Sequence, residues 1–366
     1  MTIKDLIKSK VIKNVNGLNF YIRETNTEKR SNNIIVLLHG FPELSYSFRF
    51  LMVLLAKQGY YCIAPDQRGY GKTLSIKKEK TNNFSVINLS KDIFELLKKL
   101  QIKNFHLIGH DFGAYISSYV ALLYPECISS LTIMSMPFGG LPEKNNINKL
   151  AIINQELHKL NPKKKHYQYY LSSKNASKNI LNCTQGLKNF LRNYFYFKSY
   201  DYPKNQPFKL NSFTARDMAK MPEYYIMNYN LGMAQTVLKY APSKKEIYNC
   251  KWMTEKDLLF FYNSFKHRGI QEPLKWYKVM LSTKEKNSIL KLNLPNSIDI
   301  PSLFIAGSAD WGIYQKPGEL EKMESIFFKN YAGTKIIKKA GHWVQQENPK
   351  ETLKEIILFL SAIKKK

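Results

Sequence analysis

One short segment of this 366-residue sequence sets a reactive side chain in an unusual frame: Leu107, Ile108, Gly109, His110, Asp111, Phe112, Gly113, Ala114. An aliphatic run leads into a residue flanked at two positions' distance by glycines, and a helical apolar pattern follows over 114–123. A sharp strand-to-helix turn leaves no room for Cβ atoms around its apex, so small residues belong at 109 and 113. Asp111 stands at the apex, where such turns more often carry serine. An aspartate there either caps the following helix or serves as a nucleophile.

Further groups share that chemistry. Asp310 lies in Gly307-Ser308-Ala309-Asp310-Trp311, directly after an apolar run, and His342 lies in Lys339-Ala340-Gly341-His342-Trp343 ahead of a final helical pattern. Nucleophile, acid and histidine in this chain order make a triad in which the acid orients the base. Upstream, His39-Gly40-Phe41-Pro42-Glu43 follows another apolar run. The Phe41 N–H and the N–H of Phe112, next after the nucleophile, are the expected donors of an oxyanion hole. The glycine-containing stretch 66–72, Asp-Gln-Arg-Gly-Tyr-Gly-Lys, reads as a structural turn at a strand end.

Taken together, HGFPE at 39–43, DQRGYGKT at 66–73, GHDFGA at 109–114, GSADWG at 307–312 and AGHW at 340–343 resemble epoxide hydrolases of the α/β-hydrolase superfamily, from about residue 15 to the end of the chain. A further block, Gly269 to Tyr277 with Pro273, Leu274 and Trp276, matches the family's G-x-x-x-P-L-x-W-Y stretch. The resemblance implies that Tyr277 is one of two tyrosines holding the epoxide oxygen. The other belongs to a Y-x-x-x-F-Q context; Tyr167 is the nearest match, although Leu171 and Ser172 depart from the pattern and Tyr170 is a rival. It further implies that Asp111 attacks a ring carbon to form an alkyl ester, and that His342, oriented by Asp310, activates the water that hydrolyses it. Glu43 either positions that water or is a plain surface glutamate. The partners implied are a small hydrophobic epoxide and water, with fatty-acid and xenobiotic epoxides both fitting; no cofactor and no metal are implied.

Other readings stay open. Haloalkane or haloacid dehalogenases share the fold and the aspartate, but haloalkane dehalogenases hold halide with an indole N–H directly after the nucleophile, where this chain has Phe112. A catalytically silent hydrolase-fold binding protein is another alternative, though no triad member is lost.

These residues need a scaffold. Ile34–Leu38 and the runs 60–64, 104–109, 131–134 and 302–306 read as short buried strands. Helical periodicity over 48–58 and 86–100 alternates with them, which predicts an α/β core, mostly parallel, with helices on both sheet faces. The alternation stops near 138 and returns near 298, so 1–138 and 298–366 read as an α/β-hydrolase core and 139–297 as an inserted helical cap.

The composition narrows the class. The 56 basic residues against 28 acidic give +28, yet seven of the 56 are arginine (23, 30, 49, 68, 192, 216 and 268), and arginine is what phosphate and base readers favour. Nucleic-acid binding is therefore not expected. The stretch 139–297 holds 24 lysines and three arginines against ten acids, a solvated surface or a docking face. Cys62, Cys127, Cys183 and Cys250 are scattered without a CxxC pair and read as reduced, mostly buried thiols. Apolar stretches fall short of a membrane span, and residues 1–14 lack the apolar core of a secretory signal. A cytoplasmic protein is expected, with export by a non-standard signal and the oligomeric state left open.

Overall fold

Strand by strand, the aliphatic runs assemble into one twisted sheet. The computed structural model describes residues 6–25, 33–144 and 148–364; the start of the N-terminal segment, residues 1–5, lies outside them. The strands in chain order are β1 (Ile7–Val15), β2 (Leu18–Thr25), β3 (Ile34–Leu38), β4 (Tyr61–Pro65), the short β5 (Leu74–Ser75), β6 (Phe105–His110), β7 (Ile128–Met134), β8 (Lys164–His166), β9 (Ile226–Asn228), β10 (Ser302–Gly307) and β11 (Tyr331–Ile337). The main sheet runs β1-β2-β4-β3-β6-β7-β10-β11, with β5 paired to β2. From β4 to β11 the pairs are parallel, while β1, β2 and β4 pair antiparallel.

The period of two along a strand divides the core. On β3, Ile35 and Leu37 face the helices Arg49–Lys57 and Pro349–Lys364, while Val36 and Leu38 join the layer of helices Val86–Lys99 and Phe112–Leu123. Strands covered on both faces read as unbroken apolar runs, which made β3, β4, β6, β7 and β10 visible in the sequence. By contrast β1 is largely solvated and carries Lys8, Lys10 and Lys13, the lysine-studded pattern that keeps an edge strand from pairing further. β11, at the other edge, is half exposed as well.

Between β7 and β10 the chain leaves the main sheet and builds the helical cap, including Lys149–Lys159, Tyr167–Leu171, Gly186–Phe197, Glu255–Arg268 and Gln271–Met280, with β8 and β9 as a small antiparallel pair. Buried polar pins hold it to the core. Arg49 is buried; it pairs with Asp257 of the cap (Nε to Oδ1 2.9 Å) and donates to the Trp252 carbonyl at 2.6 Å and to Gln346 Oε1 at 2.7 Å. Arg68 is likewise buried against Asp92 and Glu79, so these two arginines serve the interior. The four cysteines are free; Cys62 is buried and the other three are only partly so, a departure from the mostly buried thiols expected. No helix among the described residues is long and apolar enough to cross a membrane.

The strand-to-helix turn after β6 is the tightest point of the core. A Cβ on Gly113 would lie 1.9 Å from the Leu38 carbonyl oxygen, and one on Gly109 would lie 2.2 Å from the Gly113 carbonyl oxygen. Both obstacles are backbone, which has little room to yield. Gly113→Ala is therefore expected to destabilise the protein by about 1–3 kcal/mol, the usual range for overpacking. A lowered thermal unfolding midpoint checks this; an unchanged midpoint contradicts the close approach of helix and strand.

Candidate active site

Asp111 leaves β6 with φ 53° and ψ −119° and is the residue before the helix Phe112–Leu123. A non-glycine residue in such a conformation costs on the order of 1–3 kcal/mol and is kept only where its surroundings enforce it. Here the Asp111 N–H donates to the Met134 carbonyl at 3.2 Å, and its own carbonyl accepts from Ala114 N–H at 3.0 Å. The carboxylate then lies over Gly40, where a Cβ would stand 2.3 Å from Asp111 Oδ1. That absence of a side chain lets the Phe41 N–H reach Oδ1 at 3.0 Å. Phe112 occupies the first helical position, where the backbone N–H has no intrahelical acceptor.

The three triad positions converge from distant parts of the chain. His342 Nε2 lies 3.4 Å from Asp111 Oδ2, and His342 Nδ1 lies 3.0 Å from Asp310 Oδ1. A carboxylate only accepts, so the proton on this ring sits on Nδ1 and donates to Asp310. Asp310 Oδ1 also accepts from Gly312 N–H at 2.7 Å. Nε2 makes no hydrogen bond among the described residues, leaving a lone pair beside the Asp111 carboxylate. Burial pushes the Asp111 carboxyl up, but the nearby His342 ring and the charges of Lys198 and His110 outweigh it and hold the group below the usual carboxylate range. Asp310 is lowered too, burial being outweighed chiefly by His342.

His110 was not singled out in the sequence, although it precedes Asp111. It is fully buried; Nδ1 lies 2.6 Å from Glu43 Oε2 and Nε2 lies 2.7 Å from the His342 carbonyl oxygen. Both neighbours can only accept, so both nitrogens carry protons and the ring is an imidazolium. The titration directions agree: burial opposes both charges, but the pairing wins, raising His110 and lowering Glu43. Glu43 is not the surface glutamate of the alternative reading. Its second oxygen accepts from Gln345 and Gln346 at 2.9 and 3.0 Å, and it is wholly buried.

The cap delivers Tyr277 on the helix Gln271–Met280. The neighbouring Trp276 indole donates to the Arg68 carbonyl at 3.1 Å and meets the Phe112 ring edge-on at 5.4 Å, which fixes the helix over Asp111. The Tyr277 ring lies 4.7 Å from Phe112, 5.5 Å from Phe41 and 6.0 Å from Tyr167. The Tyr167 hydroxyl donates to Gln315 Oε1 and accepts from Gln168 Nε2, both at 3.2 Å. Tyr170 is turned into the cap, where its hydroxyl accepts weakly from Asn179 at 3.5 Å. It is thus Tyr167, not Tyr170, whose ring meets Tyr277. Burial raises both Tyr167 and Tyr277 well above the ordinary phenol value, so each remains a neutral O–H donor.

A family model described as the alpha/beta hydrolase fold matches residues 33–155. The solved epoxide hydrolase from an endophytic Streptomyces superposes with a TM-score of 0.78 at 21% identity, covering 98% of this chain and 96% of that one. The chain has the α/β-hydrolase fold. Potato (Solanum tuberosum) epoxide hydrolase I gives a TM-score of 0.74 at 24% identity, over 97% of this chain and 99% of its own. In sequence, epoxide hydrolase B of Mycobacterium tuberculosis is 28% identical over 360 residues, covering 96% of this chain and 98% of the relative. Epoxide hydrolase 3 of Siraitia grosvenorii is 26% identical over 359 residues, with 95% and 96% covered. All four of these similar proteins are epoxide hydrolases.

The buried Glu43–His110 pair yields a prediction. Removing one member of a buried ion pair typically costs about 3–5 kcal/mol, so Glu43→Gln should lose stability on that scale near neutral pH. Glu43 is lowered on folding, so its contribution is present above the ordinary carboxylate range and lost as pH falls through the lowered value. His110 is raised, so its contribution is lost as pH rises through the raised value. Denaturant unfolding should therefore show the gap between wild type and variant widest between those limits and closing in acid. A gap that persists unchanged into strong acid contradicts the pairing.

Proposed function

We propose that the protein hydrolyses a hydrophobic epoxide to a vicinal diol through an ester on Asp111, with residues 139–297 as the cap over a core of 1–138 and 298–366. The observation that carries this reading is the Asp111 carboxylate itself, with one oxygen on the Phe41 N–H (3.0 Å) and the other beside His342 Nε2 (3.4 Å). In the first step Oδ2 bonds to a ring carbon as the ring C–O bond breaks. The departing alkoxide takes its proton from Tyr277 or Tyr167, each a neutral donor. In the second step His342 removes a proton from water, and the resulting hydroxide adds to the carboxyl carbon. The Phe41 and Phe112 amides stabilise the oxyanion on Oδ1. Collapse expels the diol oxygen, which takes the proton held by His342, and the carboxylic proton left on Asp111 returns to the tyrosinate. Glu43 acts here by holding His110 under the His342 carbonyl; through that chain it fixes where the activated water sits.

Rings of Phe41, Phe112, Tyr167, Tyr194 and Tyr277 pack around this centre, favouring an apolar substituent on the epoxide. The dehalogenase alternative finds no support at Phe112, whose side chain has no N–H to offer a halide.

The test uses single-turnover kinetics with styrene oxide. His342→Gln should form the ester and stall, adding the mass of the epoxide to the peptide that contains Asp111. Tyr277→Phe should slow ester formation by about 10²-fold, at the low end for general acid catalysis because Tyr167 remains, and leave ester hydrolysis nearly unchanged. Unaltered ester formation in Tyr277→Phe combined with Tyr167→Phe contradicts the assignment of the acids.

A further inference from the structure

Among the described residues, Lys198 is the one buried lysine. It follows the helix Gly186–Phe197 and is 3% exposed. No carboxylate lies within ion-pair distance of its ammonium among the described residues. Four aromatic rings surround it instead: Nζ is 5.0 Å from the centroid of Tyr225, 5.3 Å from Trp343, 5.6 Å from Tyr194 and 5.8 Å from Tyr224. Ring faces attract a cation and are worth more when water is excluded. Three of these rings also lead to the reacting centre. Trp343 packs on His342 at 4.7 Å, Tyr194 on Phe41 at 6.0 Å, and Tyr225 on Tyr167 at 5.0 Å. The Lys198 carbonyl accepts the His342 N–H at 3.0 Å.

We propose that Lys198 is a positioning residue of the reaction, resting on the function above: its caged ammonium supplies the positive field that keeps Asp111 an anion and steadies the oxyanion of ester hydrolysis, while its carbonyl seats His342. The charge inventory requires such a group. The interior holds three carboxylates in the field of this ammonium, Asp111, Asp310 and Glu43. The His110 imidazolium offsets one of them, and an uncompensated buried charge is costly. A neutral residue at 198 would leave two negative charges around a nucleophile that must stay ionised. The titratable groups facing the ammonium are those three carboxylates, His342, and the Tyr194, Tyr224 and Tyr225 phenols, all three of which burial raises well above their ordinary value. Burial lowers Lys198 itself, and the carboxylates only partly restore it. The ammonium therefore loses its proton before the phenols do.

The test is the pH dependence of both single-turnover steps from about pH 6 to pH 10.5 with styrene oxide, for wild type, Lys198→Met and Lys198→Arg, with thermal unfolding as the folding control. The wild type should lose rate along an alkaline limb lying below an ordinary lysine's pKa of about 10.4. Lys198→Met should be slower at pH 7 by about tenfold or more and lack that limb. Lys198→Arg should recover most of the neutral rate and carry activity past the limb, because guanidinium stays charged. A Lys198→Met variant with the wild-type rate, a limb unchanged in Lys198→Arg, or a wild type without a limb below about pH 10.4 overturns the proposal. The wild-type profile decides even if the Met variant does not fold. Absence of any diol from the wild type would instead count against the parent function.

Discussion

A carboxylate removed from water has to be matched by donors and cations, and the Asp111 site is organised around that requirement. Its backbone is forced into a positive φ so that one oxygen meets the Phe41 N–H and the other meets His342. Glycines at 40, 109 and 113 are what allow strand, helix and loop to close around it. Behind the first ring of contacts stands a second set of charges, His110 with Glu43 and the caged Lys198. The Asp111 carboxylate stays ionised because the field of these groups outweighs the burial that opposes it.

The same residues lock cap to core. The loop carrying His342 does not dock on the sheet alone; it seats on the cap segment around Lys198. Besides the His342 N–H, the Trp343 indole donates to the Phe195 carbonyl at 2.8 Å, and a Cβ on Gly341 would lie 2.6 Å from Ser199 and Tyr200 backbone atoms. The Glu347 carboxylate accepts from Tyr200 N–H of the cap at 2.7 Å and from Gly341 and Trp343 N–H of the loop, both at 2.9 Å. With the Arg49–Asp257 pair and the Trp276–Arg68 bond, these contacts place Tyr167, Tyr277 and His342 in one frame. A cap displaced by even an ångström would carry the His342 loop with it.

Much of this was legible from local pattern. Asp111, Asp310 and His342 announce themselves because a nucleophile turn needs small neighbours and each residue closes a strand or precedes a helix. β3, β4, β6, β7 and β10 were found within three residues, since strands buried on both faces leave apolar runs, whereas β2, also inside the sheet, was missed. β1 and β11 were missed because edge strands alternate polar and apolar residues and carry no such run. Tyr167 and Tyr170 could not be told apart because they lie less than a turn apart on one short helix, and only the packing of Gln271–Met280 against it shows which ring meets Tyr277. Lys198 left no local trace: in a sequence of 49 lysines nothing in its neighbours marks it as one that folds inward. His110 was hidden by its partner, since the meaning of Glu43 at the first strand end depends on a pairing across 67 positions.

The central claim is that the oxygen delivered to substrate comes from Asp111 and that water replaces it on the enzyme. One turnover of excess enzyme with styrene oxide in ¹⁸O-water tests this directly by mass spectrometry of both products. The account requires an unlabelled diol from that first turnover and one ¹⁸O atom in the peptide containing Asp111. A labelled diol with an unlabelled peptide would mean that water attacks the epoxide without an ester, and would contradict the role of Asp111 as nucleophile.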